Sequence, residues 1–200
     1  MWGMAEETPT NKSVDAELVR TSLESPEEFG RIIEKYQEPL RRYVRRIARA
    51  SRDETDIILQ DIFIKTYENL NDFDQGLAFS SWIYRIAHNE SIDYLRRNKR
   101  SGTSLDDPAY DDESLSLAET IAADEDMELE LDKGYLRKNV GLILDQLDPQ
   151  YRAVLALRFI DDRSYEEISD ILRKPPGTIA TLLHRAKKEF RRIAEEQKKL

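Results

Sequence analysis

From Phe79 to Arg100 the chain runs without a glycine or a proline, and a serine pair, Ser80-Ser81, stands near its start. Such a run predicts one long helix. At 100° per residue, Phe79, Ile83, Ile86, Ala87, Glu90 and Tyr94 share one side, and all but Glu90 carry apolar bulk. Arg85, Asn89, Ile92, Arg96 and Lys99 share the other. Aromatic residues at the entry, an asparagine among cations and a basic exit suit nucleic acid: cations hold phosphates, while aromatics and amides meet an unstacked base. A core helix with a solvated charged face fits this segment as well.

Charge organises the rest. The net charge of −9 speaks against a nucleic-acid partner until it is mapped. Ser101 to Asp132 holds twelve acids and no lysine or arginine, which leaves 28 acids against 31 bases elsewhere. Eight cations face two acids between Arg31 and Arg52, and nine face three between Arg173 and Leu200. The chain is therefore two basic-leaning pieces joined by an acidic one. Few glycines and prolines and few alternating β-branched runs indicate an all-α fold. There is no cysteine, so disulfides and thiolate metal sites are excluded and a reducing cytoplasm fits. No apolar run reaches membrane-spanning length, and the first residues lack the layout of a signal peptide, so no membrane insertion is expected.

The order of elements follows from punctuation. Residues 1–25 read as a polar tail and a short helix from about Val14 to Glu24, closed by Pro26. Residues 26–100 form the first helical domain. Its opening helix, Glu27 to about Arg49, has an expected kink or break at Pro39. The next, Thr55 to Leu70, starts behind the acidic Asp53-Glu54-Thr55-Asp56. It turns Leu59, Ile62, Phe63 and Thr66 inward and Ile57, Asp61, Ile64 and Glu68 outward, with Gln60 flanking. Two outward isoleucines framing an acid suggest a docking surface, unless another helix of the domain covers them. Asn71 to Ala78 is a loop by its Asx and Gly content. Its Phe73 either supports an unstacked base or tucks into the core.

Residues 101–130 read as an acidic flexible linker, and residues 131–200 as a second helical domain. Helices are expected at Leu131–Leu147, from Pro149 (capped by Asp148) to Phe159, and from Tyr165 to Leu172. The third opens with the capping box Ser164-Tyr-Glu-Glu167. Arg173-Lys-Pro-Pro-Gly177 forces a turn, and a final helix runs from Pro176 to Lys198. Its apolar stripe is Ile179, Leu182, Leu183, Ala186, Phe190 and Ile193, while Thr181, His184, Lys188 and Arg191 face away with Arg185 and Arg192 beside them. Capped short helix, tight turn and longer polar-tipped helix make a helix-turn-helix, although a plain three-helix packing unit has the same pattern.

Two motifs carry a resemblance. The first is Asp56-Ile-Ile-Leu-Gln60-Asp61-Ile-Phe63 followed by Phe79-Ser-Ser-Trp82-Ile-Tyr-Arg85-Ile-Ala-His88-Asn89 through Arg96. The second runs from Leu147-Asp-Pro149 through Tyr165-Glu-Glu-Ile168 to Pro176-Gly-Thr-Ile179 and Leu183-His-Arg-Ala186. In this order, with an acidic tether between them, they resemble the extracytoplasmic-function (ECF) class of bacterial sigma factors in the sigma-70 family. The resemblance implies two small helical domains, a region 2-like bundle and a region 4-like helix-turn-helix. It implies a non-enzymatic subunit, monomeric when free, whose partners are core RNA polymerase and promoter DNA, with room for an anti-sigma factor. It assigns polymerase docking to Ile57, Gln60, Asp61 and Ile64. The −10 element falls to Asn71, Phe73, Arg85, His88, Asn89, Arg96 and Arg97, with a base of that element flipped into the 71–78 loop. The −35 element falls to Thr178, Thr181, His184, Arg185, Lys187 and Lys188. The acidic tether would thread the RNA exit path, or act only as a self-repelling spacer.

One departure stands out. Where the family has a basic residue and then Ser-Arg, this chain has Ala180-Thr181-Leu182, so the −35 contact rests on fewer cations or is placed differently. No P-loop, dinucleotide glycine pattern or nucleophile elbow is present, and the two histidines sit on the expected DNA faces. No catalytic residue, metal or cofactor is expected. The rival reading is a sigma-like adaptor that binds a regulator without promoter DNA. The cations Arg85, Arg96, Arg97, Lys99 and Arg100 favour a true sigma factor over it.

Overall fold

The structure, a computed structural model, describes residues 11–101 and 133–198. The polar tail up to residue 10 and the acidic tether from 102 to 132 lie outside the described residues. Among those described, helices alternate with turns and no strand occurs. In the first half α1 spans Asn11–Glu24, α2 Phe29–Ala48, α3 Arg52–Glu68 and α4 Phe79–Ser101. In the second, α5 spans Lys133–Gln146, α6 Pro149–Phe159, α7 Tyr165–Leu172 and α8 Pro176–Lys198.

The first half is a bundle in which α2, α3 and α4 pack on one another and α1 lies across α2 and α4. Its core is aromatic. Tyr36 meets Phe79 edge-on at 5.6 Å between ring centroids, and Tyr43 meets Tyr84 at 5.4 Å. Ile32, Leu40, Ile47, Ile62 and Ile83 fill the space between them. Burying each such side chain contributes about 1.5–3 kcal/mol. α1 is pinned through its buried Asp15, which accepts from Lys35 Nζ and Tyr36 Oη, each at 2.7 Å.

Three local expectations are corrected. α2 runs unbroken through Pro39. The ring removes one backbone donor, and buried Tyr36, Leu40 and Tyr43 on either side hold the two halves on one core. α3 begins at Arg52 rather than Thr55, because Ser51 caps it and Glu54 reaches back to the Ser51 amide at 2.9 Å, a full capping box. It ends at Glu68, and Leu70–Asp72 form a separate 3-10 turn.

The second half wraps α5, α6 and α7 around α8. Ile143, Val154, Leu157, Ile168, Ile179, Leu183 and Phe190 form an aliphatic core with one central ring. Asp148 caps α6 and Ser164 with Glu167 caps α7, as their sequence signals require.

The charge map suggested two pieces held apart by a tether. Instead the halves pack together: α4 lies on α7, and α2 on α6. Arg152, 3% exposed, sends Nη1 to the carbonyls of Arg46 and Ile47 at 3.2 and 3.3 Å, near the C-terminal end of α2. A buried cation at that end meets the negative pole of the helix.

Candidate nucleic-acid interface

α4 places its cations by periodicity, but its neighbours decide what each can do. Arg96 and Arg97 are exposed near its C-terminal end, and Arg96 pairs with Asp93 at 3.1 Å. Asn89 is exposed one turn after Arg85. Arg85 is half-buried, and its pKa is lowered by that burial and by the nearby Arg173. His88 lies half-buried with Nδ1 2.9 Å from Tyr43 Oη, and burial and Lys174 lower its pKa to about 4. It is therefore neutral near pH 7, a hydrogen-bonding ring rather than a phosphate-holding cation.

The loop before α4 is built around aromatics. Phe73, 8% exposed, packs on Phe79 at 5.4 Å and on Trp82 at 5.1 Å. Its ring faces inward in this conformation, whereas Asn71 and Leu77 are exposed. Asp74 accepts the Gly76 amide at 2.9 Å and holds the turn. Beside the loop, Trp82, Asn89, Arg85 and Lys65 line an open cleft of about 310 Å³, to whose wall Arg173 of the second half contributes. Glu90, the one acid on the apolar side of α4, is buried and takes Lys65 Nζ at 2.5 Å. That explains its place in the stripe.

The outer face of α3 is bare: Ile57 is 59% and Ile64 55% exposed, Gln60 is exposed and Asp61 half-buried. No described helix covers the two isoleucines. A groove of about 500 Å³ runs between α2 and α3, with Ile33, Phe63 and Ile64 in its wall and the Arg41–Asp56 ion pair at its rim.

α7 and α8 make the helix-turn-helix. Arg173 ends α7 in the left-handed region, φ 50°, and the Ser169 hydroxyl donates to the Lys174 carbonyl at 2.6 Å. This fixes the turn without a glycine at the helix end. α8 buries Ile179, Leu183, Ala186, Phe190 and Ile193 and exposes Thr178, Thr181, His184, Arg185 and Lys188. Lys187 is half-buried, its ammonium 6.0 Å from the Phe159 ring centroid. Arg192 is held by Glu189 and Glu196, both at 2.7 Å.

A group that periodicity could not find joins the halves. Tyr84 Oη donates to Asp161 Oδ1 at 2.9 Å, and the Arg163 guanidinium stacks on the Tyr84 ring at 4.4 Å. Burial pushes the Asp161 carboxyl up to about 6, against the pull of Tyr84, Arg46, Arg163 and Arg42. Arg49 and Asp145 add an ion pair at 3.0 Å. Tyr84 and Asp161 are 77 residues apart, so no spacing rule links them.

These features define an all-helical protein of two packed halves, with an exposed apolar face on α3, a cationic helix entered through aromatics, and a helix-turn-helix. The comparisons with known proteins agree. The Sigma-70 region 2 family model matches residues 32–101, and the Sigma-70, region 4 model residues 137–190. The chain is 33% identical to the ECF RNA polymerase sigma factor SigW of Bacillus subtilis, over 82% of this chain and 87% of that one. It is 31% identical to the ECF RNA polymerase sigma-E factor of Escherichia coli K12, over 80% and 82%. Among solved structures it resembles CnrH in complex with the cytosolic domain of CnrY, with TM-score 0.65 and 19% identity over 91% of this chain and 97% of that one. It also resembles the sigma factor RpoE of Bartonella quintana in complex with the anti-sigma factor NepR, with TM-score 0.61 and 18% identity over 84% and 97%. The chain belongs to the sigma-70 family, in its ECF class.

Proposed function

We propose that this sigma factor joins core RNA polymerase in the cytoplasm through Ile57, Gln60, Asp61 and Ile64 of α3, and then reads a promoter at two places. The observation that carries the reading is the presence in one chain of a bare apolar face on α3, a cationic α4 entered through aromatics, and a helix-turn-helix. Neither DNA-reading half alone needs a protein-docking face, whereas a specificity subunit needs all three.

On the −10 side, Asn71 and the cleft beside Trp82 receive an unstacked base, and Phe73 supports that platform from beneath. Arg85, Asn89, Arg96 and Arg97 follow the melted strand, with His88 as a neutral hydrogen-bonding group. The chemistry is stacking plus phosphate neutralisation, which suits single-stranded DNA. On the −35 side, Thr178, Thr181, His184, Arg185 and Lys188 enter the major groove, with Lys187 at the margin. No covalent step is involved and no catalytic residue is assigned. A regulator of the anti-sigma kind is a further expected partner, as for the Bartonella relative solved with NepR.

Run-off transcription with bacterial core polymerase and start-site mapping tests this directly. Discrete start sites that depend on the added protein are expected. Failure both to bind core and to initiate anywhere would overturn it. An adaptor that binds a regulator without DNA would give that negative result while still capturing a regulator.

A further inference from the structure

We propose that the −35 reader recognises thymine by its methyl group. Thr181 of α8 is the specificity-determining side chain, and Gly177 lets the helix come close enough for it to act. The proposal rests on the promoter-reading function above and names the base that the second reader takes.

The residue types come first. A recognition helix meets base edges with the residues of its first turns. In α8 these are Pro176-Gly-Thr-Ile-Ala-Thr-Leu-Leu183, a run with no arginine, lysine, asparagine, glutamine, aspartate or glutamate. Guanine is read by arginine or lysine, adenine by asparagine or glutamine, and cytosine by a carboxylate. None of those partners stands on this stretch. Thymine presents a 5-methyl in the major groove, which alanine and threonine methyls meet by apolar contact.

The fold then selects which side chains reach out. Ile179 and Leu183 are buried and Leu182 is half-buried, so the exposed members are Pro176, Gly177, Thr178, Ala180 and Thr181. Thr181 Oγ1 donates to the Gly177 carbonyl one turn back, at 3.0 Å. Its proton is engaged by the helix's own backbone. The hydroxyl therefore has none to give a base, and the methyl is the group left to make contact.

Gly177 carries a second, separate observation. A Cβ at this position would have no heavy atom within 4 Å, and its φ lies outside the left-handed region. Neither space nor backbone conformation asks for glycine there, although glycine weakens a helix relative to alanine. A bare backbone on an exposed turn is what close approach to a ligand uses. One turn further on, His184 and Arg185 are exposed, with Lys188 beyond them. Cations at that distance hold phosphates and set the register, which carries no sequence information by itself. Discrimination then falls to the methyl-bearing turns.

The test uses the full chain assembled with bacterial core polymerase, selected on promoter fragments randomised across the −35 region. Recovered fragments should share at least one thymine, on either strand. Uracil, which lacks only the 5-methyl, then replaces that thymine, and binding should fall about fourfold, the worth of one methyl taken out of water. Thr181→Ser keeps the hydroxyl and loses the methyl. It should show the same loss on the thymine duplex and no further loss on the uracil duplex. Thr181→Val keeps a methyl and should keep the preference for thymine over uracil. Gly177→Ala should bind the recovered promoter several-fold more weakly, while its urea midpoint holds or rises. Equal binding of thymine and uracil duplexes would overturn the proposal. So would a Thr181→Ser loss that is the same on both duplexes, or Gly177→Ala at wild-type affinity. An element fixed by guanines and lost with Arg185→Ala would overturn it as well, while leaving the promoter reading intact. Recovery of no promoter at all would instead bring down the promoter reading, and this proposal with it.

Discussion

α4 and α8 are both long, cationic helices of the same length, 23 residues, yet the structure treats their charged faces differently. On α8 the polar face stands clear of the fold, and Thr181, His184, Arg185 and Lys188 are all exposed. On α4 the middle of the face is half-buried: Arg85 shares a cleft with Arg173 and His88 is on Tyr43, while the neighbouring buried Tyr84 is bonded to Asp161. The same pattern of residues thus yields a free cationic face in one half and a partly covered one in the other. A cationic face read from periodicity is available only if no other element claims it.

The comparison can be broken first at its cores. Phe190→Ala removes the ring at the centre of the second domain and should cost about 3–5 kcal/mol in urea unfolding, whereas Asn89→Ala on exposed α4 surface should stay within about 0.5 kcal/mol. Near-equal losses would show that the halves do not differ as described. Asp61→Arg should next lower core-polymerase affinity by more than tenfold in a pull-down titration while leaving the circular dichroism unchanged. Retained binding would remove the docking role from α3.

A third experiment separates the two faces by salt. Arg85→Ala combined with Arg96→Ala should reduce the slope of log K against log salt for open-complex DNA by about two, since each lost phosphate contact removes about one. Arg185→Ala should remove about one from −35 duplex binding.

The smallest effect is on pH. Asp161 sits at about 6 in the folded chain against an ordinary 3.8, so folding takes up a proton there. The fold is then favoured as pH falls from above 6 towards 4, by at most roughly a hundredfold. His88 works the other way: its pKa of about 4 against 6.5 means that burial releases a proton and acid favours exposure. The wild type should therefore show little change in urea-unfolding stability between pH 7 and 5, while Asp161→Asn should lose stability as pH falls. An Asp161→Asn variant with a flat profile would show that His88 is not strained by packing.

Much of the fold could be read from the chain. The Ser164–Glu167 capping box, the proline at the start of α6 and the α8 stripe fall where the local signals put them, because each depends on residues within a few positions. Sites that the sequence could not locate depended on distant partners or on unusual residues. The cap of α3, Ser51, stands two residues ahead of Asp53, and its box is closed by Glu54, one of the acids at the helix start. The helix ends at Arg49 and Arg173 fall where the sequence put them, but their positive φ without glycine is visible only in the structure. Phe73 was legible as an aromatic in a loop, but only its contacts with Phe79 and Trp82 show which way the ring faces.

By itself the sequence determined the all-helical class, the segregation of charge and the outward isoleucines of α3, since these follow from composition and a period of 3.6, while its two motifs carried the resemblance to the family. Only the tertiary structure decided that the two halves pack on each other through Tyr84, Arg152 and Asp161. The physical reason is range: periodicity orders neighbours along a helix, whereas burial, desolvation and the meeting of charges across 77 residues exist only once the chain has folded.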